Sequence, residues 1–197
     1  MSTKITLPEA AEKPLDERVR RSRYAVLGAT AELLVERGLG GASVDEIVRR
    51  SGVAKTTIYR HWSTREDLLR DACRTLSTPL DTPDSGSLEG DLMVLMVRLA
   101  RLLKSARWPS VLPSIVDAGE RDANVAAMQA QHQAGYSEPL AAVIRRAMTR
   151  GELPKDTDAA VLVAMLTGAL FYRRWFSREP VTDAFAKQVV RRALRSN

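Results

Sequence analysis

Apolar side chains recur along this 197-residue chain at helical intervals, and the punctuation expected between strands is scarce. Across Asp16–Arg37, Val19, Val26, Leu27, Ala31, Leu34 and Val35 fall largely on one face at a period of about 3.6. Gly38, Gly40 and Gly41 then end that helix. Ser43 to Glu46 reads SVDE, a capping-box pattern: Ser43 accepts from the Glu46 amide while the Glu46 side chain reaches back. A short helix follows through Arg50, Gly52 breaks it, and another begins near Lys55. STREDLL (63–69) opens a further helix, through either Ser63 with Glu66 or Thr64 with Asp67, and it runs to about Leu76. Two short helices joined by a tight turn at Ser51–Val53 make a helix-turn-helix. Val44, Ile47, Val48, Val53, Ile58 and Trp62 pack its inner side, leaving Lys55, Thr56, Thr57, Tyr59 and Arg60 outside or at the edge.

The stretch 77–91 is rich in Pro, Gly, Ser and Asp and reads as a loop and a seam. Beyond it, Leu88, Leu92, Leu95, Leu99 and Leu102 predict a helix over 88–104, which SARWPSVLP interrupts through Pro109 and Pro113. Further helices are expected at 114–119, 121–150, 156–176 and 181–195, and residues 1–14 read as a flexible polar tail. The fold class is all-α. An N-terminal region, 1–78, holds a three-helix helix-turn-helix domain and the helix that follows it to about Leu76, and a C-terminal helical region, 79–197, comes after.

Composition narrows the function. The single cysteine, Cys73, leaves no internal disulfide and no cysteine metal cluster, as in a reducing cytoplasm. No signal peptide pattern is visible, and the longest apolar run, Ala159–Tyr172, is shorter than the ~20 residues of a membrane span. The expectation is a cytoplasmic protein without a membrane. The net charge of +6 is spread evenly: residues 1–80 hold 14 basic and 11 acidic side chains, residues 81–197 hold 16 and 13. Global charge therefore says less than the cluster Arg18, Arg20, Arg21, Arg23, whose default reading is a solvated helix face. There is no G-x-S-x-G, H-E-x-x-H or P-loop, and only two histidines. An enzyme would need a site assembled from scattered residues. A pure protein-interaction bundle would leave Lys55, Thr57, Tyr59 and His61 unexplained. GLGG (38–41) lacks the strand before and the Lys-Thr pair after that a phosphate loop needs, and reads as a turn. His132 has no second histidine or carboxylate at ligand spacing, so no metal or cofactor is expected.

DNA binding accounts for the polar cluster. A recognition helix needs short polar side chains for base edges and flanking donors for phosphates. Thr56 and Thr57 suit base edges; Lys55, Tyr59 and His61 suit phosphates; Arg60 suits either. Arg65 with the amides opening its helix, and Ser43 at the earlier helix start, offer further anion contacts, and Arg23 is the foremost candidate of the arginine cluster.

The stretch ASVDEIVRRSGVAKTTIYRHWSTREDLL resembles the DNA-binding domain of the tetracycline-repressor (TetR) family of bacterial transcription regulators. Gly52, Val53, Lys55, Thr57, Ile58, Tyr59, His61, Arg65, Glu66 and Leu68 match the family pattern, and the likeness spans about residues 18–75. Ala54 replaces the usual Ser and cannot cap the recognition helix; Trp62 replaces the usual Phe. The end of the chain, from RGELPKDTDAAV through EPVTDAFAKQVV, looks like the last helices of a TetR subgroup. The resemblance implies a homodimer, double-stranded operator DNA as partner, and an effector pocket between the C-terminal helices. The sign of regulation, the effector and the operator are not encoded.

For the dimer interface the expected residues are Val161, Met165, Leu166, Gly168, Phe185, Val189 and Leu194, because the helix carrying the first four is apolar around much of its circumference. For a small, largely apolar effector, the expected walls are Met93, Met96, Leu99, Trp108, Ile115, Met128, Tyr136 and Phe171, with Arg98, Gln131 and His132 as polar groups. Core packing explains each of these walls equally well.

Overall fold

A computed structural model describes residues 17–76, 80–104 and 107–195. The expected tail, 1–14, lies outside them. The described residues form nine α-helices and no strand. These are α1 (Glu17–Gly41), α2 (Val44–Ser51), α3 (Lys55–His61), α4 (Arg65–Thr75), α5 (Leu88–Lys104), α6 (Trp108–Gly119), α7 (Ala123–Arg150), α8 (Ala159–Tyr172) and α9 (Asp183–Arg195). A π-helical turn, Arg173–Ser177, continues α8.

They gather into two compact units. The described residues up to 76 join Ser110–Ala130 in the first; those from 80 to Pro109 join Gln131 to 195 in the second. This differs from the expected division, 1–78 and 79–197, in one segment. Residues 110–130 carry buried Val111, Ile115, Val125 and Met128, and the Ser114 hydroxyl accepts the Leu39 amide at 3.0 Å. That contact explains how α1 ends. Gly38 kinks the helix with φ 67°, and a Cβ there would lie 2.9 Å from the Ser114 Cβ. Only glycine takes that turn so close to α6.

The first unit is built on Val26, Leu33, Leu34, Ile47, Ile58, Leu68 and Leu69, all fully or nearly fully buried. Cys73 is buried as well, which pushes its thiol up to about 12. In the second unit, Leu92, Leu95, Met96 and Leu99 of α5 share a core with Leu140, Val143 and Ile144 of α7, Leu162, Leu166 and Leu170 of α8, and Val190 of α9. The capping signals are local. Thr64 rather than Ser63 caps α4, accepting the Asp67 amide at 3.1 Å, and Asp158 caps α8 through the amides of Ala160 and Val161.

Two expectations change. The prolines do not break α6: Pro109 sits in its first turn, where a missing N–H costs no helical bond, and Pro113 is accommodated inside. The apolar run on α8 does not stop at Tyr172. With the π-turn it reaches Ser177, and these 19 residues are long and apolar enough to cross a membrane by length and composition.

Candidate nucleic-acid interface

The helix-turn-helix is held by a few deep anchors. Ser43 accepts the Glu46 amide at 3.3 Å and so starts α2. Its reciprocal partner is absent: the Glu46 carboxylate instead takes Arg49 at 2.8 Å and Arg37 at 3.4 Å, which holds it below the usual carboxylate range. Gly52 ends α2 in the left-handed region, φ 69°, its amide bonded to the Val48 carbonyl at 3.0 Å. The chain turns through Val53 and Ala54 into α3, which has no side-chain cap at its start. Ile58 and Trp62 are buried and fix the inner side.

Lys55, Thr56, Tyr59 and Arg60 are exposed, while Thr57 and His61 are half-buried at the edge. Lys55 pairs with Asp45 of α2, Nζ to Oδ1 2.9 Å, a bond that raises its pKa. The His61 ring meets the Trp62 ring edge-on at 5.6 Å. Burial, with Arg23 and Arg60 adding, holds His61 below its ordinary value, so at neutral pH it is a neutral N–H donor. The face thus offers hydroxyls in the middle and cations around them.

Two expected phosphate contacts are placed otherwise. Arg65 turns inward: its Nε donates to the Ala42 carbonyl at 3.1 Å and its Nη2 to the Leu39 carbonyl at 2.6 Å. It clamps the carbonyls at the end of α1, where Leu39 also accepts the Ala42 amide at 3.4 Å, and so serves the fold. Arg23 points to Asp71 of α4, 3.2 Å. Asp71, unnoticed in the sequence, also accepts the Trp62 indole N–H at 3.0 Å. It stands nine residues beyond Trp62, a spacing without a helical signature.

In the second unit, Trp108 lies against His132 with ring centroids 3.8 Å apart, and His132 meets Tyr136 edge-on at 5.3 Å. Of the other expected effector contacts, Met96 and Leu99 are core, and Met93 and Phe171 pack half-buried against it. Gln131 is exposed, and Arg98 is exposed beside Asp81. Ile115 and Met128 belong to the first unit, where Met128 lines a small cleft with Leu39, Leu69 and Val125. Among the described residues no group of three or more His, Cys, Asp or Glu is placed to hold a metal.

On α8, Val161 is 54% and Met165 52% exposed, and nothing lies within 4 Å of a Cβ built on Gly168. Leu166, by contrast, is fully buried in its own chain's core, which corrects its assignment to the dimer interface. The missed members of the exposed stripe are Tyr172, 61% exposed, and Phe176, 76% exposed, whose rings stack 5.9 Å apart. Phe185, Val189 and Leu194 of α9 are half-buried, and the Arg173 guanidinium lies over the Phe185 ring at 3.6 Å.

A family profile described as bacterial regulatory proteins, tetR family, matches residues 26–72, and one described as tetracyclin repressor-like, C-terminal domain, matches 82–193. The chain is 29% identical over 188 residues to the HTH-type transcriptional regulator YdeS of Bacillus subtilis, covering 93% of this chain and 91% of that one. It is 30% identical over 170 residues to the DNA-binding transcriptional repressor TetR of Mycobacteroides abscessus, covering 84% and 88%. The crystal structure of the TetR family transcription regulator SCO0332 superposes with TM-score 0.69 at 30% identity, covering 90% and 98%. That of FadR from Bacillus subtilis in complex with stearoyl-CoA superposes with TM-score 0.65 at 16% identity, covering 88% and 98%. The helix-turn-helix at α2–α3, the helical unit that follows it and these two profile matches together place the chain in the TetR family, as a DNA-binding transcription regulator and not an enzyme.

Proposed function

We propose that the chain is a cytoplasmic, homodimeric repressor that releases a pseudo-palindromic operator when an effector binds. The carrying observation is α3: Ile58 and Trp62 hold one side while Lys55, Thr56, Tyr59 and Arg60 face outward with Thr57 at the edge. In this reading Thr56 and Thr57 read base edges, and Lys55, Tyr59 and His61 bind phosphates, with Ser43 at the α2 start. Lys55 must leave Asp45 to do so. One seven-residue helix touches too few bases for useful specificity, so two half-sites are needed. The experiment is a gel-shift titration on the duplex that the full chain selects from a random library, beside a scrambled duplex. Thr57→Ala weakens the selected duplex more than the scrambled one, and Tyr59→Phe weakens both alike. If neither variant changes affinity for the selected duplex, α3 is not the reading helix.

The second copy covers the α8 stripe. Val161, Met165, Gly168 and Tyr172 follow one another at steps of four, three and four, a single helix face, and Phe176 extends it. A second copy of this chain, rather than lipid, is its occupant in this proposal. The Mycobacteroides relative is named a repressor, which supports that sign of regulation. FadR is described with stearoyl-CoA, which supports a ligand with a large apolar part. In the present chain the aromatic group Trp108, His132 and Tyr136, with Gln131 beside it, is where we place such a ligand.

A further inference from the structure

Trp62 brings to the end of the recognition helix something a phenyl ring lacks, an N–H that needs an acceptor once buried. Trp62 is 3% exposed, and its backbone amide closes the last turn of α3 on the Ile58 carbonyl at 3.0 Å. Its indole N–H goes to Asp71 Oδ2, 3.0 Å away. The same oxygen accepts Arg23 Nη2 from α1 at 3.2 Å, and Asp71 Oδ1 accepts Arg74 Nη1 at 3.4 Å. The Arg23 guanidinium also sits 5.8 Å from the centre of the Trp62 ring. One carboxylate on α4 therefore ties the C-terminal end of α3 to α1.

We infer that Asp71 is a positioning residue for sequence reading: through the Trp62 N–H it fixes the orientation of α3 and thereby sets the preference for operator over other DNA. The inference rests on the function proposed above. A helix of seven residues with no side-chain cap at its start depends on Ile58 and Trp62 for its placement. Base-edge hydrogen bonds weaken steeply with small displacements, whereas long cationic side chains follow a phosphate through them. A loosened α3 therefore loses the operator and keeps the scrambled duplex. The charge of Asp71 acts separately. It offsets Arg23 and Arg74, and removing it strengthens binding to any duplex and steepens the salt dependence.

Three variants of the full chain separate these effects, each titrated on the selected and the scrambled duplex. Asp71→Ala removes both acceptor and charge, and lowers the ratio of the two affinities by about tenfold, the scale of a hydrogen bond to a charged group. Asp71→Asn removes the charge but keeps an amide oxygen for the indole. It restores most of the ratio while raising affinity for both duplexes. Trp62→Phe lowers the ratio as Asp71→Ala does, and in the Phe background Asp71→Ala lowers it no further. Should Asp71→Ala fail to melt cooperatively, the comparison of Asp71→Asn with Trp62→Phe carries the test. Unchanged ratios in folded Asp71→Ala or Trp62→Phe, or losses that simply add in the double variant, overturn the inference. A wild-type chain that selects no sequence at all overturns the function on which it rests. A wild-type chain with a clear operator and variants of unchanged ratio overturns the role of Asp71 alone.

Discussion

Arg65 illustrates how far the destination of a single side chain can differ from its apparent purpose. It occupies a family position beside α3, yet its Nε and Nη2 end on carbonyls at and just beyond the end of α1, while its Nη1 faces Glu66 at 3.8 Å. Arg65→Gln should accordingly cost about 1–3 kcal/mol of stability, the scale of charge-assisted hydrogen bonds whose acceptors are left open. Chemical denaturation measures the loss, and the salt dependence of DNA binding should stay as in the wild type. His61 carries a pH signature. Its folded pKa lies below the ordinary 6.5, so on acidification the unfolded chain takes up this proton first. The folded state therefore loses stability as pH falls below the ordinary histidine value and gains none above it. His61→Gln should flatten that part of the curve of melting temperature against pH. Neither effect was legible in the residue type. The carbonyls that Arg65 reaches follow Gly38, which bends α1 against Ser114, a contact 76 residues apart in the chain.

At the scale of the element, α8 shows where helical periodicity stops informing. Nearly every position is apolar, so the pattern predicts a covered helix without saying which face its own chain covers. Leu162, Leu166 and Leu170 take the inner face; Val161, Met165 and Tyr172 remain outside. Leu166→Ala should cost about 2–5 kcal/mol as a core truncation, and Leu166→Glu should unfold the second unit instead of yielding folded monomers. Met165→Glu is the substitution that should leave a folded monomer, as read by sedimentation beside a thermal melt. A wild-type chain that sediments as a monomer at micromolar concentration would defeat the proposed interface. The helix-turn-helix was legible for the opposite reason. Its caps, its left-handed Gly52 and its buried Ile58 and Trp62 act over a few residues, so local chemistry suffices. In α6 local chemistry misled: Pro109 and Pro113 suggested a break, but the first turn tolerates one proline and the buried faces of Val111 and Ile115 hold the rest.

For the whole molecule, the proposed function requires effector and operator to be linked. A ligand that favours the form unable to bind DNA weakens the operator, and operator DNA weakens that ligand by the same factor. A thermal-shift screen of hydrophobic compounds, followed by operator titration with each hit, should find a coupling of about 1–3 kcal/mol. Trp108→Ala should abolish the shift of a true effector. A hit that stabilises the chain without changing operator affinity binds elsewhere. The burial of Cys73 bears on which signals can reach this circuit. Its thiol is pushed up to about 12, so at neutral pH almost none of it is thiolate, the form that attacks disulfides and electrophiles. An aromatic disulfide reagent should leave the native chain unmodified and titrate one equivalent after denaturation. A cysteine placed at exposed Glu120 or Asp156, away from α3 and the α8 stripe, would then be the sole reactive thiol of the folded chain, and a dye could be attached there with no need to remove the native thiol.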